Sequence, residues 1–266
     1  MVNEFSHTNY WAIILGGSTG LGLATAKKLA KQGMNLCIVH RTRKADIADV
    51  EQAFRTIENE GVSLKQFNID ATNSEKRTVV ISALKETFKE GEKVRALIHS
   101  IAKGNLKPMV ANGNQRQLRH DDFQLTIDAM AISLYDWTND LLSAGLFAAD
   151  ARVISFTSEG SLKAWKNYAA VSAAKAALEA ISRSIALEMA PFGIRSNCIM
   201  AGVTDTASLR LIPDADSLMS HSKQRNPFSR LTTPENVADV AYLLCKDEAA
   251  WINGAVIPVN GGEHLQ

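Results

Sequence analysis

The stretch YWAIILGGSTGLGLATAKKLAKQG, residues 10–33, decides the fold. YWAIIL (10–15) is an apolar run of strand length, and LGLATAKKLAKQG (21–33) has helical period and stops at Gly33. Between them Gly16, Gly20 and Gly22 are spaced GxxxGxG, with Ser18, Thr19 and Leu21 filling the loop. Glycines there let the chain turn sharply. They also let a phosphate approach the first turn of the helix, where free N–H groups and the dipole favour an anion. The alternative is a tight turn with no ligand. The strand before it and the helix after it are the context that the phosphate-binding motif requires.

The alternation continues outward. NLCIVH (35–40), SLKQFNI (63–69), VRALIHS (94–100), ARVISFT (151–157), IRSNCIM (194–200) and AVIPV (255–259) read as strands. Helical patterns fill 46–60, 73–90, a long stretch after Asp121, the run from Asn167 to about Met189, and 234–247. Apolar strands alternating with helices predict an α/β protein: a doubly wound Rossmann fold with a seven-stranded parallel sheet and helices on both faces. One domain is expected over residues 1–266. Two stretches, 101–120 and 201–232, break the alternation. Both follow strands, and loops at the carboxyl ends of such strands build the ligand site.

Composition narrows the classes. The chain has 266 residues, is 46% hydrophobic and carries a formal charge of only +1, so a large core is expected and a nucleic-acid surface is not. No apolar run approaches a membrane span. The N-terminus MVNEFSHTNYWAIIL, with Glu4 and no basic segment, does not read as a signal peptide. The three cysteines, Cys37, Cys198 and Cys245, sit far apart in apolar segments. They read as buried thiols of a reducing, cytoplasmic compartment. No Cys/His spacing suits a metal.

The second strand ends in VHRTRK (39–44), without an acid to bind a ribose 2′-hydroxyl. Arg41 and Arg43 can instead meet a 2′-phosphate, which points to NADPH over NADH. The other reading is a solvated basic turn. Asp70, with Ala71 beside it, follows the third strand, where it can accept from an adenine amino group or act as a turn or cap residue.

SEGSLKAWKNYAAVSAAKAALEAISR (158–183) carries Tyr168 and, seven positions on, Lys175. Seven residues are almost two helical turns, so both side chains share one face, about 10 Å apart along the axis. The small apolar residues around Lys175 argue against a free surface position.

Glycine loop, fifth strand and Tyr/Lys helix in this order resemble the short-chain dehydrogenase/reductase family over essentially the whole chain. The final GAVIPVNGG (254–262) is similar as well. The family's usual Tyr-x3-Lys is Tyr-x6-Lys here, its Asn-Ala-Gly turn is replaced by HSIAKG (99–104), and its helix asparagine falls near Met130. These departures together resemble the enoyl-acyl-carrier-protein reductase branch, in its divergent NADPH-preferring form. The resemblance implies hydride transfer to an enoyl thioester carried on acyl carrier protein or coenzyme A, with Tyr168 stabilising the enolate and Lys175 holding the nicotinamide ribose. It implies that Ser100, Ile101 and Ala102 line that ribose, and that Gly202, Val203, Thr204 and Thr206 of GVTDT hold the carboxamide. It further implies a homotetramer, with helices around 121–148 and 167–190 at the contacts. Ser158 stands where the best-known enoyl reductases have a second tyrosine and where ordinary family members have a catalytic serine. Carbonyl reduction is therefore the alternative activity, and a dinucleotide-binding regulator without turnover is the alternative of another class. His99 is read as structural, and SLRLIPDADSLM (208–219) as a mobile lid or a packed surface helix.

Overall fold

The computed structural model describes residues 3–111, 113 and 116–266. Positions 112, 114 and 115 of the 101–120 stretch lie outside the described residues. The elements run β1 (Tyr10–Leu15), α1 (Gly20–Lys31), β2 (Asn35–His40), α2 (Ile47–Glu58), β3 (Leu64–Asn68), α3 (Ser74–Thr87) and β4 (Lys93–His99). Then come α4 (His120–Ile127), α5 (Ser133–Ser143), β5 (Phe147–Ser158), α6 (Ala169–Glu188), β6 (Ile194–Ala201), α7 (Ala215–Arg225), α8 (Pro234–Cys245) and β7 (Val256–Val259). All seven strands form one parallel sheet in the order β3-β2-β1-β4-β5-β6-β7.

Strand alternation sends successive side chains to opposite faces. Ala12 and Ile14 of β1 join Ile38, Ile98 and Ile154 under α1, α2 and α8, where Leu29, Phe54 and Val237 close the layer. Ile13 and Leu15 join Val39, Leu97 and Val153 on the other face, under Leu84 of α3, Trp137 of α5 and Leu178 of α6. The inner strands β1, β2 and β4 are buried on both faces, which is why they read as near-continuous apolar runs, while the edge strands β3 and β7 are partly exposed. No helix among the described residues is long and apolar enough to cross a membrane.

Three details differ from the sequence reading. The long helix after Asp121 is broken by a π segment at Asp128–Ile132, between α4 and α5. The helix expected within 208–219 lies later in the chain: Leu209–Leu211 form only a 3-10 turn, and α7 occupies Ala215–Arg225. Tyr168 stands at the N-cap of α6 instead of inside it, with φ −115° and ψ 2°.

The N-terminal end of the sheet is knitted by ions. Arg95 and Arg152 are each 1% exposed. Arg95 donates to the Asp150 carboxylate at 2.7 Å, to Asp247 at 2.6 Å and to the Cys245 carbonyl at 3.1 Å. Arg152 donates to Asp150, to the Leu244 carbonyl at 3.1 Å and to the Lys246 carbonyl at 3.3 Å. Arg195 also donates to Asp150. The guanidiniums thus take up carbonyls that the last turn of α8 leaves without helical partners. Burial works to raise the Asp150 pKa, but Arg152 and Arg95 outweigh it and hold the carboxyl below its ordinary value.

Candidate active site

The opposite end of the sheet holds a cleft of about 590 Å³, at the point where strand order reverses between β1 and β4. Gly16 turns the chain there with φ +81°, and a Cβ on it would stand 2.3 Å from the Ser100 carbonyl oxygen. Only glycine lets these two strand ends close together. Gly16, Ser18, Thr19, Gly20 and Leu21 line the cleft. The first turn of α1 has no acidic residue, and the Thr19 side chain does not cap it, so its N–H groups remain available to an anion. Gly22 is not on the cleft wall; it packs under the Gly16 carbonyl.

Arg41, Asp70 and Ala71 form the wall beyond β2 and β3. Arg43, expected beside Arg41, does not line the cleft and is exposed. The chain turns away into the 3-10 turn Lys44–Asp46, for which Arg43 is the extended leading residue. Asp70 is more engaged than the sequence suggested. Its Oδ2 accepts from Arg41 Nη1 and Lys103 Nζ, each at 3.0 Å, while its Oδ1 accepts from the Thr72 amide at 3.0 Å and hydroxyl at 2.7 Å. The turn role is therefore present in full, and no free acceptor is held open for adenine. The cap of α3 is Asn73, whose side chain accepts from the Lys76 amide. Trp137 steadies this corner by donating to the Ala71 carbonyl at 2.8 Å.

Ser100, Ile101 and Ala102 continue the wall from β4. His99 lies behind it, fully buried. Ser133 donates its one proton to the Ala129 carbonyl, so His99 Nε2 donates to Ser133 Oγ at 2.8 Å and Nδ1 is left without a partner. Burial, helped by the charge of Lys175, pushes the His99 pKa down to about 3, and the ring stays neutral.

Tyr168, Ser158 and Lys175 meet at the middle of the cleft. Asn167 enters a left-handed conformation, φ 62°, to turn the chain into α6 and aim Tyr168 inward. Gly160 faces the Tyr168 ring, and a Cβ there would stand 2.6 Å from Cε1. Burial raises the Tyr168 pKa, and the nearby Ser158 hydroxyl pulls it part of the way back. Ser158 Oγ is itself buried and makes no hydrogen bond of normal geometry among the described residues. Lys175 is 8% exposed and donates to the Phe156 carbonyl at 2.6 Å. Burial lowers its pKa to about 8, with Cys198 and Glu179 acting the other way. Glu179 is held one turn behind it by Thr157, at 2.6 Å.

Gly202, Val203, Thr204 and Thr206 line the cleft after β6. Beyond them Leu209–Leu211 form a short 3-10 turn and α7 follows. The far end of α7 is anchored: Arg225 grips Glu159 at 2.7 and 3.0 Å and the Glu263 carbonyl at 2.9 Å, and Ser222 donates to the Glu263 carboxylate. Near Tyr168 the wall is apolar, built by Leu106, Met130, Trp165, Val171, Leu209 and Ile212. Met130 comes from the π segment, which re-aims the helix at this point.

Sequence reasoning passed over Lys103, Thr72, Trp165, Glu159 and Glu263, all of which line the cleft. Only Lys103 carried a local signal, as a basic residue inside HSIAKG.

A family model described as Enoyl-(Acyl carrier protein) reductase matches residues 16–264. The enoyl-[acyl-carrier-protein] reductase [NADH] of Enterococcus faecalis is 30% identical over 90% of this chain and 90% of its own. The human protein named dehydrogenase/reductase SDR family member 2, mitochondrial, is 24% identical over 95% of this chain and 86% of its own. Among solved structures, an enoyl-[acyl-carrier-protein] reductase (NADH) from Aquifex aeolicus superposes with a TM-score of 0.82 at 25% identity, covering 97% of this chain and 98% of that one. With the match running from the glycine loop to the last turn, the chain belongs to the short-chain dehydrogenase/reductase family, in its enoyl-(acyl carrier protein) reductase branch.

Proposed function

We propose that the chain is an NADPH-dependent enoyl-acyl-carrier-protein reductase of fatty acid synthesis. It acts as one catalytic domain over residues 1–266 in a cytoplasmic homotetramer and reduces trans-2-enoyl thioesters carried on acyl carrier protein or coenzyme A. The residues present fit a nicotinamide dinucleotide: an open helix N-terminus, the Gly16 cradle, and a buried lysine and orphan hydroxyl at the far end. When bound, that group supplies a hydride for the β-carbon of the substrate.

The carrying observation is the offset of Tyr168 from Lys175. Reduction of an enoyl thioester puts negative charge on the carbonyl oxygen, three bonds from the carbon that receives hydride. The oxyanion partner must therefore be displaced from the group that holds the ribose. A tyrosine three residues earlier than the usual spacing is shifted by about 4.5 Å along a helix axis. In this role the Tyr168 phenol donates to the enolate oxygen. Lys175, fixed on Phe156, holds the ribose and places positive charge beside the phenol. The apolar wall around Val171 and Leu209 takes the acyl chain and excludes water. Preference for NADPH rests on the acid-free end of β2 and on Arg41, 65% exposed at the cleft edge. NADH stands in the names of the Enterococcus and Aquifex relatives, so both cofactors belong in the test.

Initial rates with an enoyl thioester and either cofactor are expected to show turnover that is faster with NADPH. Folded protein that consumes neither cofactor overturns the reading. One observation favours a second activity: the unpartnered Ser158 hydroxyl beside Tyr168 suits carbonyl reduction. Ser158→Ala would abolish turnover of keto substrates and spare enoyl substrates if both activities are present.

A further inference from the structure

Asp70 collects more donors than its place in a turn requires. A carboxylate offers about four lone-pair sites, and here Arg41, Lys103 and the two donors of Thr72 use all of them. Arg41 comes from the end of β2 and Lys103 from the loop after β4, so a single oxygen ties two walls of the cleft together. The carboxyl is held well below the usual range: burial opposes this, but Thr72 and Lys103 outweigh it. Asp70 is therefore a full negative charge beside Arg41.

That creates a difficulty for a 2′-phosphate. A phosphate monoester carries about −1.5 to −2 charge at pH 7. To meet it, Arg41 must let go of Asp70, and the carboxylate it leaves would then repel the newcomer. Arg41 is the looser of the two cations, with its side chain 65% exposed against 34% for Lys103. Exposed pairs are weakly held, so Arg41 is the one that can change partner while Lys103 stays.

We propose that Lys103 is a specificity-determining residue of the dinucleotide site. It keeps Asp70 neutralised so that Arg41 can exchange Asp70 for the 2′-phosphate. The inference rests on the reading of Arg41 as the 2′-phosphate contact and is independent of the enoyl substrate. Lys103 acts on one cofactor only, because a ribose 2′-hydroxyl carries no charge for Asp70 to repel and does not need Arg41 released.

Calorimetric titration of the intact protein with NADP+ and NAD+, without substrate, tests this. Lys103→Met should weaken NADP+ binding by about tenfold and NAD+ binding by less than about twofold. Lys103→Arg should retain the preference, and adding Asp70→Asn to Lys103→Met should restore NADP+ affinity. Adenosine 2′-monophosphate against adenosine repeats the comparison on the fragment that matters, and Lys103→Gln serves if the methionine variant unfolds. Equal losses for both cofactors would mean that Lys103 only props the loop, and would overturn the proposal. A wild-type protein that prefers NADP+, with the preference kept in Lys103→Met, overturns this proposal alone. A wild-type protein without preference overturns it together with the Arg41 reading.

Discussion

The two ends of the sheet treat buried cations in opposite ways. At the N-terminal end Arg95, Arg152 and Arg195 converge on Asp150 and on the closing carbonyls of α8 and its following turn. At the C-terminal end Lys175 donates to one carbonyl and pairs with no carboxylate, while Ser158 Oγ and His99 Nδ1 make no hydrogen bond of normal geometry among the described residues. A saturated polar network fixes geometry. An unsaturated one holds groups ready for something that is not protein. The same strands, β4, β5 and β6, pass through both, so the difference lies in the polar residues at their two ends and not in the core between them.

The sharpest way to break this contrast is at Tyr168. Tyr168→Phe should lower kcat/KM for an enoyl thioester by about 10²–10³, the range for loss of one oxyanion donor, with cofactor affinity and unfolding temperature nearly unchanged. A fall in stability of comparable weight would show that the C-terminal end is structural after all. The mirror experiment is Asp150→Asn. It leaves two guanidiniums of 1% exposure without their shared counter-charge. The expected cost is about 3 kcal/mol, the low end for a broken buried pair because Asp150 itself reaches solvent. That lowers the unfolding midpoint by roughly 6–12 °C for a chain of this size. Cofactor affinity should not move.

A pH series separates the ends next. The folded pKa of Lys175, about 8, lies below its unfolded value. Between about pH 8 and 10.4 the unfolded chain therefore binds more protons, and stability gains from rising pH in that window. On the proposed role of Lys175, turnover needs the ammonium and should fall through the same window. Activity and the wild-type minus Lys175→Met stability difference, both followed from pH 7 to 10, should run in opposite directions; parallel curves would refute the assignment. Asp150 gives the reverse case. Its lowered pKa contributes stability that is complete above the ordinary carboxyl range and is lost as pH falls through the folded value. The acid slope of the unfolding midpoint should shrink in Asp150→Asn. The smallest effect is expected at Arg43: Arg43→Ala should change NADP+ affinity by less than about twofold, since its side chain is exposed and does not line the cleft. A loss as large as that of Arg41→Ala would bring Arg43 back into the site.

What the sequence made legible was local. Apolar runs, the glycine loop and the Tyr168–Lys175 spacing are written within single elements, and their alternation predicts a parallel sheet but leaves its strand order open. The partnerships were not legible, because they join residues far apart in the chain. Lys103 and Asp70 are 33 positions apart, Arg225 and Glu159 are 66, and Arg95 and Asp247 are 152. No periodicity announces such pairs. Side-chain direction was the other blind spot. Arg41 and Arg43 stand two residues apart in an extended turn, yet only Arg41 reaches the cleft. The π segment was hidden too, since helical period continues on both sides of it.

β5 carries the consequence furthest. Asp150 and Ser158 lie on this one strand, eight residues or about 26 Å apart. Whatever is lost or gained at Ser158 leaves the anchor at Asp150 untouched, and the loops that line the cleft hang from strand tips at the other end of the anchored strands. A descendant of this chain can therefore try new chemistry at one tip without risking its ability to fold. For the protein engineer, libraries belong at residues 105–111 and 207–214, clear of Gly104, Gly202 and the proposed cofactor residues, and the arginines at the other end should be left alone.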